Sequence, residues 1–295
     1  MVLQLVDLSK QFGPMFAVTA LNLSVEQGTI YGILGPNGSG KTTTLGMTLG
    51  VIRPTSGQVI WFGQPHSGNE RRRIGSILET PNFYPYLSAA NNLRIAADIK
   101  GVDYSAIERV LEIVGLSSRK NSQFSTYSLG MKQRLSIASA LLGKPEVIVL
   151  DEPTNGLDPA GIAEIRGLIK DIAKEGHTII LASHLLDEVE KVCTHVAVLQ
   201  KGRLITAGSV AEVLAGESVI EAGAEDMAKL ITVAKANPEI KLLTKNDMGK
   251  LELTFNTNVT AARLNDYFYK NGIILNHLAL RKKSLEERFL ELTKT

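Results

Sequence analysis

The octapeptide Gly35-Pro36-Asn37-Gly38-Ser39-Gly40-Lys41-Thr42 fits G-x-x-x-x-G-K-[ST], the pattern of a loop that cradles nucleotide phosphates. Glycines allow the positive-φ backbone that aims several N–H groups at one anion. Lys41 supplies a point charge for the β- and γ-phosphates, and the Thr42 hydroxyl is a ligand for Mg²⁺. Thr43 follows on the same turn. A second group is Val147-Ile148-Val149-Leu150-Asp151-Glu152, an apolar run closed by two acids. In a strand, successive side chains point opposite ways, so the two carboxylates can take different jobs. Asp151 suits Mg²⁺, held through water, and Glu152 suits a general base that polarises an attacking water. His184 closes the next apolar run, after Ala182-Ser183. On the same sheet edge it can donate to a γ-phosphate and hold the attacking water.

These residues need an α/β frame. Thr29–Leu34 reads as a buried strand and Thr42–Leu49 as the helix after it, whose N-terminus carries about half a positive charge toward the phosphates. Val147–Leu150 and Thr178–Ser183 are continuous apolar runs suited to parallel strands covered on both faces. A helix is expected between them, from about Pro159 to Lys174. Val2–Val6 and Ala20–Val25 alternate as half-exposed strands do, Gln58–Phe62 is a further strand, and Val196–Gln200 with Arg203–Ala207 makes a hairpin around Lys201-Gly202. Ala89–Gly143 is helical in pattern. Character changes near Gly216. Beyond it come weaker strands (Ser218–Ala222, Lys250–Asn256, Ile273–Ala279) and amphipathic helices (Glu225–Ala236, Ala261–Lys270, Leu285–Leu292).

Bulk properties narrow the function. The chain has 295 residues, 44% of them hydrophobic, with 32 basic and 30 acidic side chains and a net charge of +2. That balance argues against a general polyanion binder, and the basic triplets Arg71–Arg73 and Arg281–Lys283 read as solvated faces, so no nucleic-acid partner is expected. The single Cys193 excludes an internal disulfide and fits a reducing compartment. The N-terminus lacks the pattern of a secretory signal, and no apolar run approaches the roughly 18 residues that span a bilayer. His177 and His195 read as structural.

At Tyr127-Ser128-Leu129-Gly130-Met131-Lys132-Gln133-Arg134 the chain resembles the ATP-binding cassette family, over about residues 1–216. The family's motif is Leu-Ser-Gly-Gly-Gln followed by Gln-Gln-Arg, at the start of a helix that reaches across a dimer to the γ-phosphate held by the other copy. Ser128 and Gly130 match its serine and second glycine, while Leu129 replaces the first glycine and Met131 the glutamine. The resemblance implies further site residues. Asp158, in Thr154-Asn155-Gly156-Leu157-Asp158, is the acid of the loop along the dimer interface. Phe12 is the aromatic that stacks on adenine, with Phe16 as runner-up. Glu79 stands where the family usually has a glutamine that touches Mg²⁺ and faces the transporter, and a carboxylate is a stronger ligand for a hard cation.

The implied fold is an α/β P-loop NTPase cassette. It is a mixed sheet with an inserted helical subdomain (about 82–143) over residues 1–216, followed by a small α+β accessory domain over 217–295. The implied activity is ATP hydrolysis with ATP and Mg²⁺. The implied partners are a second copy of the chain, in an ATP sandwich, and a separate transmembrane permease. The chain would then sit in the cytoplasm against the inner face of the cell membrane. Glu79 and the Tyr127–Arg134 motif together resemble the ATPases of bacitracin-resistance and lantibiotic-immunity exporters, and Ser284–Thr293 resembles the C-terminal helix of the same branch. The alternative is a soluble cassette ATPase acting on ribosomes or DNA. Such proteins usually carry two cassettes or long coiled coils, whereas this chain has one cassette and no sustained heptads. A metabolite kinase would leave Ser128–Arg134 unexplained.

Overall fold

The computed structural model describes residues 1–78, 83–214, 219–245, 249–255, 259–281 and 284–293. They divide into two units, Met1–Val210 and Ala211–Thr295, a little before Gly216.

The first unit opens with a hairpin, β1 (Leu3–Phe12) and β2 (Met15–Val25), followed by β3 (Ile30–Leu34) and α1 (Lys41–Thr48). Next come β4 (Ser56–Trp61), the two-residue β5 (Gln64–Pro65) and β6 (Ile74–Ile77). The helical segment holds α2 (Ala89–Lys100), α3 (Ser105–Ile113) and α4 (Leu129–Leu141). The α/β rhythm resumes with β7 (Val147–Asp151), α5 (Pro159–Lys174), β8 (Thr178–Ser183), α6 (Leu186–Val192), β9 (His195–Gln200) and β10 (Arg203–Ser209). A short α7 (Val210–Leu214) follows, and all but its first residue belong to the second unit.

Two sheets form rather than one. The half-exposed alternating strands make an antiparallel sheet of order β2-β1-β4-β5. The apolar runs make a mixed sheet of order β10-β9-β3-β8-β7-β6, parallel throughout except for β10 on β9. Every residue of β3, β7 and β8 is buried, which is what continuous apolar strands require. The order β3-β8-β7 has a consequence for chemistry. Leu34 pairs with Ser183 and Asp151 with Ala182, so Gly35, Glu152 and His184 leave the sheet side by side at one carboxyl edge.

The second unit runs β11 (Val219–Ala224), α8 (Met227–Lys235), β12 (Ile240–Lys245), β13 (Leu251–Phe255), α9 (Ala261–Lys270), β14 (Leu275–Arg281) and α10 (Leu285–Thr293). Its sheet order, β12-β13-β11-β14 with all neighbours antiparallel, is a split βαβ arrangement. Ile220, Ala222, Leu251 and Leu253 pack with Leu230 and Phe268 in its core. Glu221 and Glu252 face each other across β11 and β13, a repulsive pairing. Arg281 offsets it, lying 3.2 Å from Glu221 and 2.9 Å from Glu252, and reaches Glu287 of α10 at 2.8 Å.

The helical segment is held at two points on α2. Asn92, buried, accepts the Tyr84 N–H (2.8 Å) and donates to the Tyr84 and Ser88 carbonyls (both 3.1 Å). At the other end, the Lys100 ammonium donates to the carbonyls of Ser139 (2.6 Å) and Ala140 (3.3 Å), in the last turn of α4. Cations near a helix C-terminus are favourable, yet burial pushes the Lys100 pKa down to about 8. The folded-state pKa therefore lies below the unfolded value of 10.5, and between the two the unfolded chain binds more protons. Lys100→Met should cost roughly 1–3 kcal/mol at neutral pH by leaving carbonyls unpaired. Denaturant titrations from pH 7 to 10 should show the stability gap between wild type and variant widening above pH 8; a narrowing gap would refute the assignment.

Candidate nucleotide site

The phosphate loop joins β3 to α1, and its glycines are dictated by backbone approach. Gly35 (φ 155°), Gly38 (φ 78°) and Gly40 (φ 102°) all lie in the left-handed half of φ space. A Cβ on Gly35 would stand 2.3 Å from the Leu199 carbonyl oxygen, and one on Gly40 would stand 2.5 Å from that of Ala17. The loop is braced by the β9–β10 turn. The Gly202 N–H donates to the Ser39 carbonyl (3.1 Å), and the Thr19 N–H donates to the Gly202 carbonyl (2.8 Å). Gly202 has the same constraint as Gly40, since its Cβ would meet the Ala17 oxygen at 2.6 Å. The sequence identifies Lys201-Gly202 as a turn but gives no sign that it carries the loop.

Inside the cradle the Ser39 hydroxyl is buried without a hydrogen-bond partner. Lys41 is only 5% exposed. Its ammonium donates to the Gly35 (2.8 Å) and Pro36 (3.3 Å) carbonyls and lies 3.4 Å from Glu152 Oε1. The α1 N-cap, Gly40, has no side chain to occupy the first N–H groups of the helix, so these and the dipole are available to an anion. Pro36, Asn37 and Thr42 are exposed, and Thr43 is half-buried on the first turn. A loop shaped by close backbone contact, a buried cation and uncapped N–H groups fits a phosphate chain.

Glu152 is reached differently from the way strand alternation predicts. The strand ends at Asp151, and Glu152 turns into the left-handed region (φ 48°), with its N–H donating to the Ala182 carbonyl (3.0 Å). That turn, not the pleat, separates the two acids. Glu152 Oε2 lies 2.8 Å from His184 Nδ1. Lys41, Glu152 and His184 thus form one group at the sheet edge, with Asp151 buried beside it. Asp151 and the exposed Thr42 are oxygen donors, as a hard cation requires. Among the described residues no cluster of three or more His, Cys, Asp or Glu could hold a metal. Glu79 lies outside the described residues.

The other expected residues stand elsewhere on the surface. Ser128 caps α4, its hydroxyl accepting the Met131 N–H (3.2 Å), and Gly130 lies in the first turn. Asp158 caps α5 in the same manner, accepting the Gly161 N–H (2.8 Å) ahead of Pro159. Neither cap joins the Lys41–Glu152–His184 group among the described residues. Phe12, 45% exposed, ends β1 beneath Lys10, whose ammonium is 4.8 Å from the ring centroid. Phe16 is exposed on the facing strand, one residue before the Ala17 carbonyl that abuts Gly40, so the hairpin with both aromatics borders the loop. His177 is buried with Nδ1 2.6 Å from the Pro145 carbonyl, and His195 stacks on Tyr31.

The chain is similar to known proteins along nearly its whole length. The ABC transporter family model matches residues 18–155. Over 297 aligned residues the chain is 41% identical to the bacitracin transport ATP-binding protein BcrA of Bacillus licheniformis, covering 99% of this chain and 97% of that one. The chain belongs to the ATP-binding subunits of ABC transporters. It is also 39% identical over 204 residues to the lantibiotic transport ATP-binding protein SrtF of Streptococcus pyogenes, covering 69% of this chain and 89% of that protein. Among solved structures, CbiO1 of Clostridium perfringens, part of the ABC transporter complex CbiONQ, superposes with a TM-score of 0.66 at 30% identity. It covers 72% of this chain and 90% of its own. The protein is therefore an ABC ATPase that binds ATP, of a family whose subunits dimerise and work with membrane permeases. No described helix is long and apolar enough to cross a membrane.

The close approach at Gly40 generates a test. Gly40→Ala should be strained by about 1–3 kcal/mol and should weaken binding of a fluorescent ATP analogue about 5-fold or more. Gly28 also has a positive φ, 76°, but no neighbour within 4 Å of a Cβ, and Gly28→Ala should retain binding. Equal binding by both variants would show that the cradle does not depend on this contact.

Proposed function

We propose that two copies of this ABC ATPase close on two ATP molecules, and that each site is completed by the Ser128–Gly130 helix end of the other copy. The observation that carries the reading is a division of labour. Lys41, Glu152 and His184 gather at one sheet edge, while Ser128 caps an exposed helix end that has no part in that group. A γ-phosphate surrounded by cations and N–H groups on one side needs donors on the other, and a second helix N-terminus supplies them.

Within each site Lys41 carries charge to the β- and γ-phosphates. Phe12 stacks on adenine, a contact worth on the order of 1–3 kcal/mol. Glu152 takes the proton of the attacking water as general base. With Nδ1 engaged by Glu152, His184 offers Nε2 to the γ-phosphate and the water. Thr42 and Asp151 would hold Mg²⁺, which supplies charge neutralisation at the transferring phosphoryl group. Asp158 lines the interface between the copies.

The exposed Tyr84 and Tyr86 flank Pro85 at the entry to the helical segment and suit the docking of a separate membrane permease. Full-length similarity to BcrA favours an exporter of peptide antibiotics, with this subunit on the cytoplasmic face of the membrane. The unit from Ala211 onward is an accessory domain of the same subunit.

Glu152→Gln should bind ATP, trap the dimer in size-exclusion chromatography with ATP, and lower kcat by roughly 10²–10⁴. Wild-type turnover in that variant would remove Glu152 from the role of base. Co-expression of the chain with its co-purifying permease should raise bacitracin tolerance in a sensitive host; unchanged tolerance to bacitracin and to lantibiotics would refute the substrate class.

A further inference from the structure

Leu129 occupies a position where the family motif has glycine, and its surroundings give it a task. It is the first residue of α4, next to the Ser128 cap, and is 50% exposed. Its covered half lies on the loop before α5. A Cβ placed on Gly156 would be 3.2 Å from Leu129 Cδ2. The contact is reciprocal: a Cβ on Gly130 would be 3.9 Å from Leu157 Cδ2, and Leu157 also covers Gly161 in the first turn of α5. Two leucines from two segments each lie over a glycine of the other. Farther along the same helices, Arg134 of α4 is 3.8 Å from Glu164 of α5.

We infer that Leu129 is a positioning residue, clasping the Ser128 helix end to the Gly156–Asp158 loop so that both face the partner's nucleotide as one rigid edge. The clasp rests on the ATP-sandwich reading above. Its physical content is the loss of independent motion. Ser128 and Asp158 are exposed caps on neighbouring helix ends. A glycine at position 129 would leave the α4 end free to hinge there, because glycine adds backbone freedom and removes the apolar contact. With leucine, the donors that complete the partner's site are pre-set with the interface loop, and less ordering remains to be done when the dimer closes.

The test uses the full-length chain. Leu129→Ala should leave the affinity of the dilute monomer for a fluorescent ATP analogue unchanged, because the phosphate loop is a separate element. It should raise the ATP concentration for half-maximal turnover about 4- to 15-fold, as expected for one to two lost buried methylenes, with kcat changed less than KM. Leu129→Met should restore wild-type values. Leu157→Ala removes the contact from the other side, and the double variant should be no worse than the poorer single one. Dimerisation separates this inference from the reading on which it rests. In the Glu152→Gln background with ATP, a chain that stays monomeric with Leu129 intact defeats the sandwich itself. A dimer equally stable with Leu129→Ala, or additive effects of the two leucine variants, defeats the clasp alone.

Discussion

A backbone approach too close for any side chain organises the catalytic half of this subunit. The Ala17 carbonyl of β2 meets both Gly40, at the mouth of α1, and Gly202, in the β9–β10 turn, while the Leu199 carbonyl of β9 meets Gly35. Two strands and a hairpin turn thereby close on one loop. The arrangement leaves the Ser39 hydroxyl without a partner and draws a lysine ammonium almost entirely out of water. Both are unfavourable in themselves. They make sense in a cradle whose N–H groups and charge are fixed before the anion arrives, because a preorganised site has little reorganisation left to do at the moment of reaction. The same approach holds the β1–β2 hairpin, with its exposed Phe12 and Phe16, against the phosphate loop, so one contact sets loop and hairpin together.

At the mouth of the cradle the electrostatics turn on Glu152. Its carboxylate lies between a cation and an imidazole, with Lys41 at 3.4 Å on one oxygen and His184 at 2.8 Å on the other. A non-glycine residue at φ 48° is strained, and such strain persists where the surroundings enforce it. Here the Glu152 N–H bond to the Ala182 carbonyl and the pairing of Asp151 in the sheet enforce it. The strain has a geometric product. Two adjacent acids that a continuing strand would send to opposite faces are separated by a turn, which leaves Asp151 buried and Glu152 aimed at Lys41.

Much of this was legible in the residues, and the limits of legibility are physical. The phosphate loop, the two acids and His184 each sit at the end of an apolar run, and such runs announce buried parallel strands. Their meeting at one edge required only that the strands be neighbours. Contacts between segments distant in sequence left no such mark. Gly202 reads as an ordinary hairpin glycine until Ala17 is seen beside it, and the left-handed turn at Glu152 has no local signature because no glycine marks it. The alternating strands suggest half-exposed strands, yet not that they form a sheet of their own. In the second unit, β12 carries no strand pattern in the sequence, because Lys241, Thr244 and Lys245 dilute its apolar residues. Lysines of that kind are what an edge strand carries to discourage further pairing.

The helical segment shows how distant parts of the subunit can act together without a continuous chain of charges. Asn92 ties the Tyr84–Leu87 turn to the start of α2 through part-buried hydrogen bonds, and Lys100 ties the end of α2 to the last turn of α4. α4 itself is 13 residues, about 20 Å of helix, and its far end carries Ser128 and Leu129. The aromatic turn and the Ser128 end of α4 are therefore joined through two helices whose junctions are held by groups that are costly to leave unpaired. On the proposed reading, a displacement imposed at Tyr84 and Tyr86 would meet these junctions before any loop could absorb it, and would reach Ser128 as a movement of the whole α4 end. Gly156 beneath Leu129 and Gly130 beneath Leu157 let the two segments sit close enough to share such a movement.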